Sequence, residues 1–412
     1  MRGLLNIYTT WLPDFVIDNH VTDGADFQYD VTYAPEENVL FHKAVIDYTK
    51  QLFPYLEAFI SKNGYKLGPY IELVDDKNPA AGIVSNPSTP RFSSGYGALQ
   101  NRPTIVTETH MLKTFEVRIK SNYFLMEGVL RKFNEDPQAI RNAVRQADQD
   151  SIQLGKTYDS SAVFPLKIEI DNAKSDPIQF KGIEYTTELS PISGSTKVVY
   201  GTKPIEISIP HFWYTKTVAS VAPPLGYIIP PQYTELIERL KIHGIAFSTL
   251  KAPAEGSFET YRFSDVTWNE LPFEGHHELK FKTTKVTEKR LLVPGSVVVW
   301  LNQRSNKVIL NLLEPDSPDS LVSWGFFDAI FEQKEFADAY QMEKMASQML
   351  QKDPKLKEEF EKRIATDPKF TSDPAARLDF FFEHSPYVDP RQDAYPIVRI
   401  TTNEQVQLLK TE

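Results

Sequence analysis

Residues 14–20, DFVIDNH, form a short apolar run that closes on polar residues, the pattern of a buried strand. Residues 103–107, PTIVT, repeat the pattern and run on into Glu108-Thr109-His110. Around these two runs the sequence alternates strand and helix signals. Residues 37–62 have helical spacing, with Leu40, Ala44, Ile46, Leu52 and Leu56 set among charges, although Pro54 is expected to bend or end that helix. Residues 70–74 (YIELV) read as a strand. Residues 80–99, rich in Gly, Ser, Pro and Asn, read as a long loop of the kind that often carries function. Helices are predicted over 113–133 and 137–154. The first dozen residues read as a short apolar patch broken by polar residues, so the chain is expected to open almost directly into a strand. The alternation predicts an α/β layer architecture.

Beyond residue 158 the pattern changes. Runs at 164–170, 197–200, 205–209, 277–283 and 296–301 are short, β-branched and separated by turn residues, which predicts a β-rich region. One helix interrupts it at 232–243, with Gly244 as its stop. After 316 the chain returns to helix, at 333–351 and 354–365, with the dense alternating charge of a solvated face. The aromatic run Trp324-Gly325-Phe326-Phe327 reads as core. The expected organisation is an α/β part at 1–157, a β-rich part at 158–315 and a helical part at 316–412.

Composition narrows the chemistry. The 412 residues carry 45 Lys and Arg against 55 Asp and Glu, a net charge of −10, with no basic stripe interleaved with aromatics, which argues against nucleic-acid binding. There is no cysteine, so disulfides, thiolate metal sites and cysteine nucleophiles are excluded. No run of about 18 apolar residues occurs, so no membrane span is expected. The N-terminal residues lack the apolar core and small-residue cleavage site of a signal peptide.

Eight histidines remain as the strongest candidates for metal or proton chemistry beside the carboxylates. His42, His110, His211, His243, His276, His277 and His384 are scattered without a paired spacing and read as structural or surface residues. His276 and His277 are adjacent, and neighbouring strand residues point to opposite faces. His20 is different. It ends the first apolar run, where an α/β sheet presents residues to a ligand crevice. Asp18, two residues earlier, lies on the same strand face and can hold the imidazole tautomer. Glu108 ends the second run. A carboxylate closing an apolar strand is costly to bury unless it is paired, and partial burial would raise its pKa toward the range useful for a general base. A His and a Glu at the carboxyl edge of one sheet are a pattern used in metal-assisted hydrolysis.

Residues 13–33, PDFVIDNHVTDGADFQYDVTY, resemble the segment of zinc carboxypeptidases of the carboxypeptidase A type, in their bacterial subgroup, that carries the last zinc ligand. Residues 101–118, NRPTIVTETHMLKTFEVR, resemble the strand that carries their catalytic glutamate. Residues 319–336 (DSLVSWGFFDAIFEQKEF) and 376–390 (ARLDFFFEHSPYVDP) are similar to the C-terminal extension of that subgroup. The resemblance implies a mixed-sheet carboxypeptidase domain that removes a C-terminal residue from a peptide, and a periplasmic or secreted location. It assigns His20 as a zinc ligand and Glu108 as general base, with Glu116 in FEVR as a rival. Tyr96 and Arg91, in the 80–99 loop, are the counterparts expected to contact substrate.

The departure concerns the other ligands. The family binds zinc through a His-x-x-Glu pair as well as the later His, and no His-x-x-Glu occurs in these 412 residues. One His cannot hold catalytic zinc, which needs three protein ligands and an open position. The sequence is therefore expected to be the C-terminal portion of such an enzyme, inactive by itself. The alternative is a non-catalytic module, derived from a carboxypeptidase, that binds peptide or glycan.

Overall fold

The computed structural model describes residues 2–22, 24–34, 38–334 and 336–411. It opens on a helix, α1 (Arg2–Trp11), where no helix was expected. The polar residues that break the linear pattern fall on one side of the helix, while Leu5 and Tyr8 are buried on the other. Next come β1 (Val16–Val21), β2 (Val31–Ala34), α2 (Lys43–Lys62), β3 (Leu67–Pro69), β4 (Ile83–Val84), α3 (Ser93–Leu99) and β5 (Thr104–Thr109). Four of these strands form a mixed sheet in the order β1-β5-β2-β3. β1 runs parallel to β5, β2 antiparallel to β5, and β3 parallel to β2. The α/β alternation read from the sequence is thus present, followed by β-rich and helical parts.

Three helices cover this sheet: α2, α4 (Phe115–Glu135) and α5 (Pro137–Leu154). Val31 and Ile105 from the strands share one core with Val45, Leu52, Leu56 and Ile60 of α2, Leu125 and Val129 of α4, and Val144 of α5. Pro54 does not end α2; the helix runs through it. An interior proline costs about 3 kcal/mol, and the burial of Leu52, Phe53, Leu56 and Ile60 on both sides of it outweighs that cost. The helix predicted from 37 begins at Lys43, and Glu37 lies outside the described residues. The stretch 70–74 is not a strand; β3 lies just before it. An Asp-Pro signature marks several helix starts. Asp136 accepts hydrogen bonds from Gln138 N and Ala139 N while Pro137 takes the first helical position. Asp353-Pro354, Asp367-Pro368 and Asp373-Pro374 repeat the device.

The β-rich part contains β6 (Phe164–Ile170), β7 (Asp176–Leu189), β8 (Thr196–Phe212), β9 (Thr215–Val221), β10 (Gly226–Ile229), α6 (Thr234–Ile242), β11 (Ser248–Thr249), β12 (Ala254–Trp268), β13 (Leu279–Leu292) and β14 (Val297–Trp300). The runs at 197–200 and 205–209 are one strand, β8: residues 201–204, read as a turn, stay extended against β7 across a bulge at Ile183/Tyr185. The far end of β8 pairs in parallel with β4, Ile83 opposite His211 and Val84 opposite Phe212. Gly244 follows α6 at φ 67°, a left-handed position that suits glycine and ends the helix as predicted.

The last part holds α7 (Asn306–Leu313), α8 (Ala339–Lys352), α9 (Pro354–Thr366), α10 (Pro368–Ser372), α11 (Pro374–Glu383), β15 (Val398–Ile400) and α12 (Asn403–Leu408). The helix predicted from 333 starts at Ala339, and Glu335 lies outside the described residues. α8 to α11 enclose their own core of Met342, Leu356, Phe370, Phe380 and Phe381. β15 enters the six-stranded sheet, order β11-β14-β10-β15-β12-β13. Of the aromatic run read as core, Phe327 is buried at 1% exposed, while Trp324 and Phe326 are half-buried.

β15 carries Arg399, which is 1% exposed beside the equally buried Glu314. Arg399 Nε donates to Glu314 Oε1 at 3.0 Å, and its Nη1 to Glu259 Oε2 at 2.6 Å. The Tyr227 and Tyr261 hydroxyls also donate to the Glu314 carboxylate. Removing one partner of such a pair leaves the other charged and unpaired, a loss of about 3–5 kcal/mol. Arg399→Met is expected to destabilise the protein by that amount in urea denaturation, and a change below 1 kcal/mol would show that the pair does not hold the sheet.

Candidate active site

The register of the parallel pair sets His20 directly opposite Glu108. The two residues that closed the apolar runs are therefore neighbours at the same ends of adjacent strands. Both line a cavity of about 580 Å³. Its walls come from β1 and β5, from the segment between them (Asn38, Tyr70, Glu72, Ser85, Ser93) and from β8 and β9 with their connection (His211, Trp213, Thr215).

His20 is half-exposed, and its Nε2 lies 3.0 Å from Asp18 Oδ1. That is the same-face contact expected from their spacing. Asp18 Oδ2 accepts a 2.5 Å hydrogen bond from Ser93 Oγ at the start of α3. Burial works to raise the Asp18 pKa, but the Ser93 hydroxyl and His20 outweigh it and hold the carboxyl below its usual value. Asp18 thus remains a charged acceptor that fixes the imidazole and leaves Nδ1 for another partner. Tyr70 OH donates to Glu108 Oε1 at 3.3 Å.

The opposite wall is polar and aromatic. His211 Nε2 lies 2.8 Å from Ser85 Oγ. Burial pushes the His211 pKa down, with Asp176 opposing, so the ring is neutral near pH 7. Trp213 donates through Nε1 to Asp176 at 2.8 Å and stacks on Tyr214. Glu72 accepts from Asn86 Nδ2 at 2.8 Å.

The donors present do not make a zinc site. Among the described residues no three His, Asp or Glu side chains are placed to hold one metal ion. His20 and Glu108 are brought together without the two further ligands that catalytic zinc requires.

The other sequence candidates lie elsewhere. Glu116 is in the first turn of α4, 72% exposed and paired with Lys120, and does not line the cavity. Arg91 and Tyr96 do not line it either. The Arg91 guanidinium sits over the rings of Phe273, Phe92 and Trp324 and pairs with Glu278. Tyr96 is on α3, not in a loop, because residues 93–99 form a helix. It is 8% exposed, meets Tyr8 of α1 edge-on, and lies 2.9 Å from His243 Nδ1 through its hydroxyl. The remaining histidines make structural contacts. His110 is buried against Asp26 and Phe27, His42 caps α2, and His384 bonds the Phe380 carbonyl.

Tyr70, Ser85, His211 and Trp213 were not singled out as site residues from the sequence. Nothing local marks His211; the pairing of β4 with β8, more than 120 residues apart in the chain, brings it to the cavity.

No family model matches the chain. It is similar to carboxypeptidase 2 of Trichophyton rubrum, 30% identical over 342 residues, which cover 79% of this chain and 59% of that protein. Carboxypeptidase 2 of Trichophyton tonsurans is 30% identical over 103 residues, 25% of this chain and 19% of that protein. Probable carboxypeptidase 2 of Arthroderma benhamiae is 20% identical over 339 residues, 78% of this chain and 60% of that protein. The chain spans about three fifths of the length of the relatives it matches most extensively. No solved structure matches it. All of these relatives are named carboxypeptidase 2 or probable carboxypeptidase 2. The relatives are fungal and carry no support for a bacterial subgroup.

Tyr96 and His243 yield a test of stability. Burial, with Arg239 nearby, pushes the His243 pKa from 6.5 down to about 4. The unfolded chain therefore binds this proton first, and the neutral ring's contribution is complete above pH 6.5 and lost as pH falls to about 4. His110 and His211 are shifted the same way, chiefly by burial. Stability measured by urea denaturation is expected to fall between pH 7 and 4.5, with His243→Gln showing a shallower fall by roughly 1.4 kcal/mol or more. An unchanged slope would contradict a neutral His243 ring.

Proposed function

We propose that this chain carries one part of the active site of a zinc carboxypeptidase, with His20 as a zinc ligand and Glu108 as general base. The observation that carries this reading is the β1–β5 register, which sets His20 and Glu108 side by side on one cavity. The similarity to proteins named carboxypeptidase 2 supports the same class. The zinc ligands missing among the described residues belong, on this reading, to sequence outside these 412 residues, in keeping with the share of each relative that the chain spans. The substrate is the C-terminal end of a peptide, and a secreted location follows from the family.

The residues present define what they can do. The Glu108 carboxylate takes a proton from the attacking water and returns it to the departing amine. Tyr70 holds one of its oxygens. Asp18, held by Ser93, fixes the His20 ring. Among the described residues the donor set does not complete a metal site.

Two experiments test the reading. The 412-residue chain alone is expected to show no nanomolar Zn²⁺ binding and no release of the C-terminal residue from a reporter peptide. Binding and cleavage that both disappear in His20→Ala would overturn the division of the site. In the protein that carries the complete site, Glu108→Gln is expected to lower kcat by about 10²–10⁴-fold with zinc retained, while Glu116→Gln leaves kcat unchanged. Full activity in Glu108→Gln would remove it as the base. Peptide binding without turnover in that complete protein would favour the binding module instead.

A further inference from the structure

The α4 helix buries Leu125, Gly128 and Val129 toward α2 and the sheet but leaves a second apolar face in solvent. Phe115 is 71% exposed, Ile119 53%, Tyr123 57%, Met126 36% and Leu130 67%. Their spacing of four, four, three and four residues places them on one stripe, about 80° wide and about 22 Å long. Met111 and Leu112, just before the helix, are exposed as well. Singly exposed apolar residues need no explanation, but a continuous stripe marks an interaction surface.

The stripe is nearly symmetric about Tyr123. Phe115 lies eight residues before it and Leu130 seven after; Ile119 lies four before and Met126 three after. The charges along one flank follow the same centre with opposite signs. Glu116 lies seven before Tyr123 and Arg131 eight after, while Lys120 lies three before and Glu127 four after. Within the helix these charges pair as Glu116 with Lys120 and Glu127 with Arg131, and the Arg131 guanidinium also lies 5.8 Å from the centre of the Phe59 ring of α2. In an antiparallel helix pair the same flank of each helix meets its own copy. Glu116 then faces Arg131 of the second copy and Lys120 faces Glu127, each contact occurring twice. A surface complementary to itself under a two-fold rotation is what a closed dimer requires.

We propose that the exposed face of α4 pairs antiparallel with the same face of a second copy of this chain, with the Tyr123 side chains at the two-fold centre. The apolar stripe supplies the affinity and the flanking charges set the antiparallel direction. The proposal does not depend on the catalytic reading.

Sedimentation velocity of the full chain over a concentration series tests it. The expected species at high concentration has twice the chain mass of 47.1 kDa. Ile119→Glu with Tyr123→Glu, both at exposed positions, is expected to give a monomer with unchanged helical circular dichroism. Glu116→Lys alone is expected to weaken the dimer roughly tenfold, and adding Arg131→Glu to restore it, because the exchanged charges still meet across the two-fold axis. A wild-type chain that stays monomeric overturns the proposal, including the case in which a different protein covers this face, and so does loss of the dimer when sequence outside these 412 residues is present. A dimer unaffected by the Ile119/Tyr123 change overturns it too, and failure of Arg131→Glu to rescue overturns the antiparallel register.

Discussion

Parallel pairing of β1 with β5 is the constraint from which the site follows. Parallel neighbours cannot be joined by a tight turn, so a long crossover must lie between them. Here that crossover holds β2, α2, β3, β4 and α3. Its residues do more than return the chain. Asn38, Tyr70, Glu72, Ser85 and Ser93 all reach the cavity above the strand ends. The same pairing that aligns His20 with Glu108 therefore also supplies the groups that hold them: Ser93 through Asp18, and Tyr70 directly.

The cavity's second wall depends on a different contact. β4 is only two residues long, yet its pairing with β8 ties the β-rich part to the α/β part and delivers His211 and Trp213. Both side chains are already engaged, His211 with Ser85 and Trp213 with Asp176, so this wall is preorganised. At the other end of the chain, the Arg399–Glu314 pair fixes β15 inside the six-stranded sheet. A charge pair so deeply buried contributes less to net stability than to requiring one arrangement of its surroundings, and here four side chains, Arg399, Tyr227, Tyr261 and Glu259, converge on that arrangement.

Local pattern and long-range geometry divide cleanly along this chain. The sequence by itself determined the α/β alternation, the helices α4, α5 and α9, the strand β6, the end of α6 at Gly244, and the two strand-end residues His20 and Glu108. Each depends on periodicity or on a cap, which neighbours within a few residues decide. The same local reading missed α1, because an amphipathic helix of ten residues shows only two buried positions in a linear scan. It allowed Pro54 to bend or end α2 and cut β8 in two at residues 201–204, where tertiary packing and pairing with β7 carry the elements through local breakers.

Tertiary structure alone decided which candidates share a site. It set His20 opposite Glu108 through strand register and put Glu116 on an exposed helix turn. It withdrew Arg91 and Tyr96 into contacts with Phe273 and His243, and brought His211 to the cavity from a strand far along the chain. These are distances between segments separated by tens to hundreds of residues, and no periodicity within a segment encodes them. The sequence contains no His-x-x-Glu spacing, and only the folded chain shows how the carboxylates and imidazoles around His20 and Glu108 are arranged.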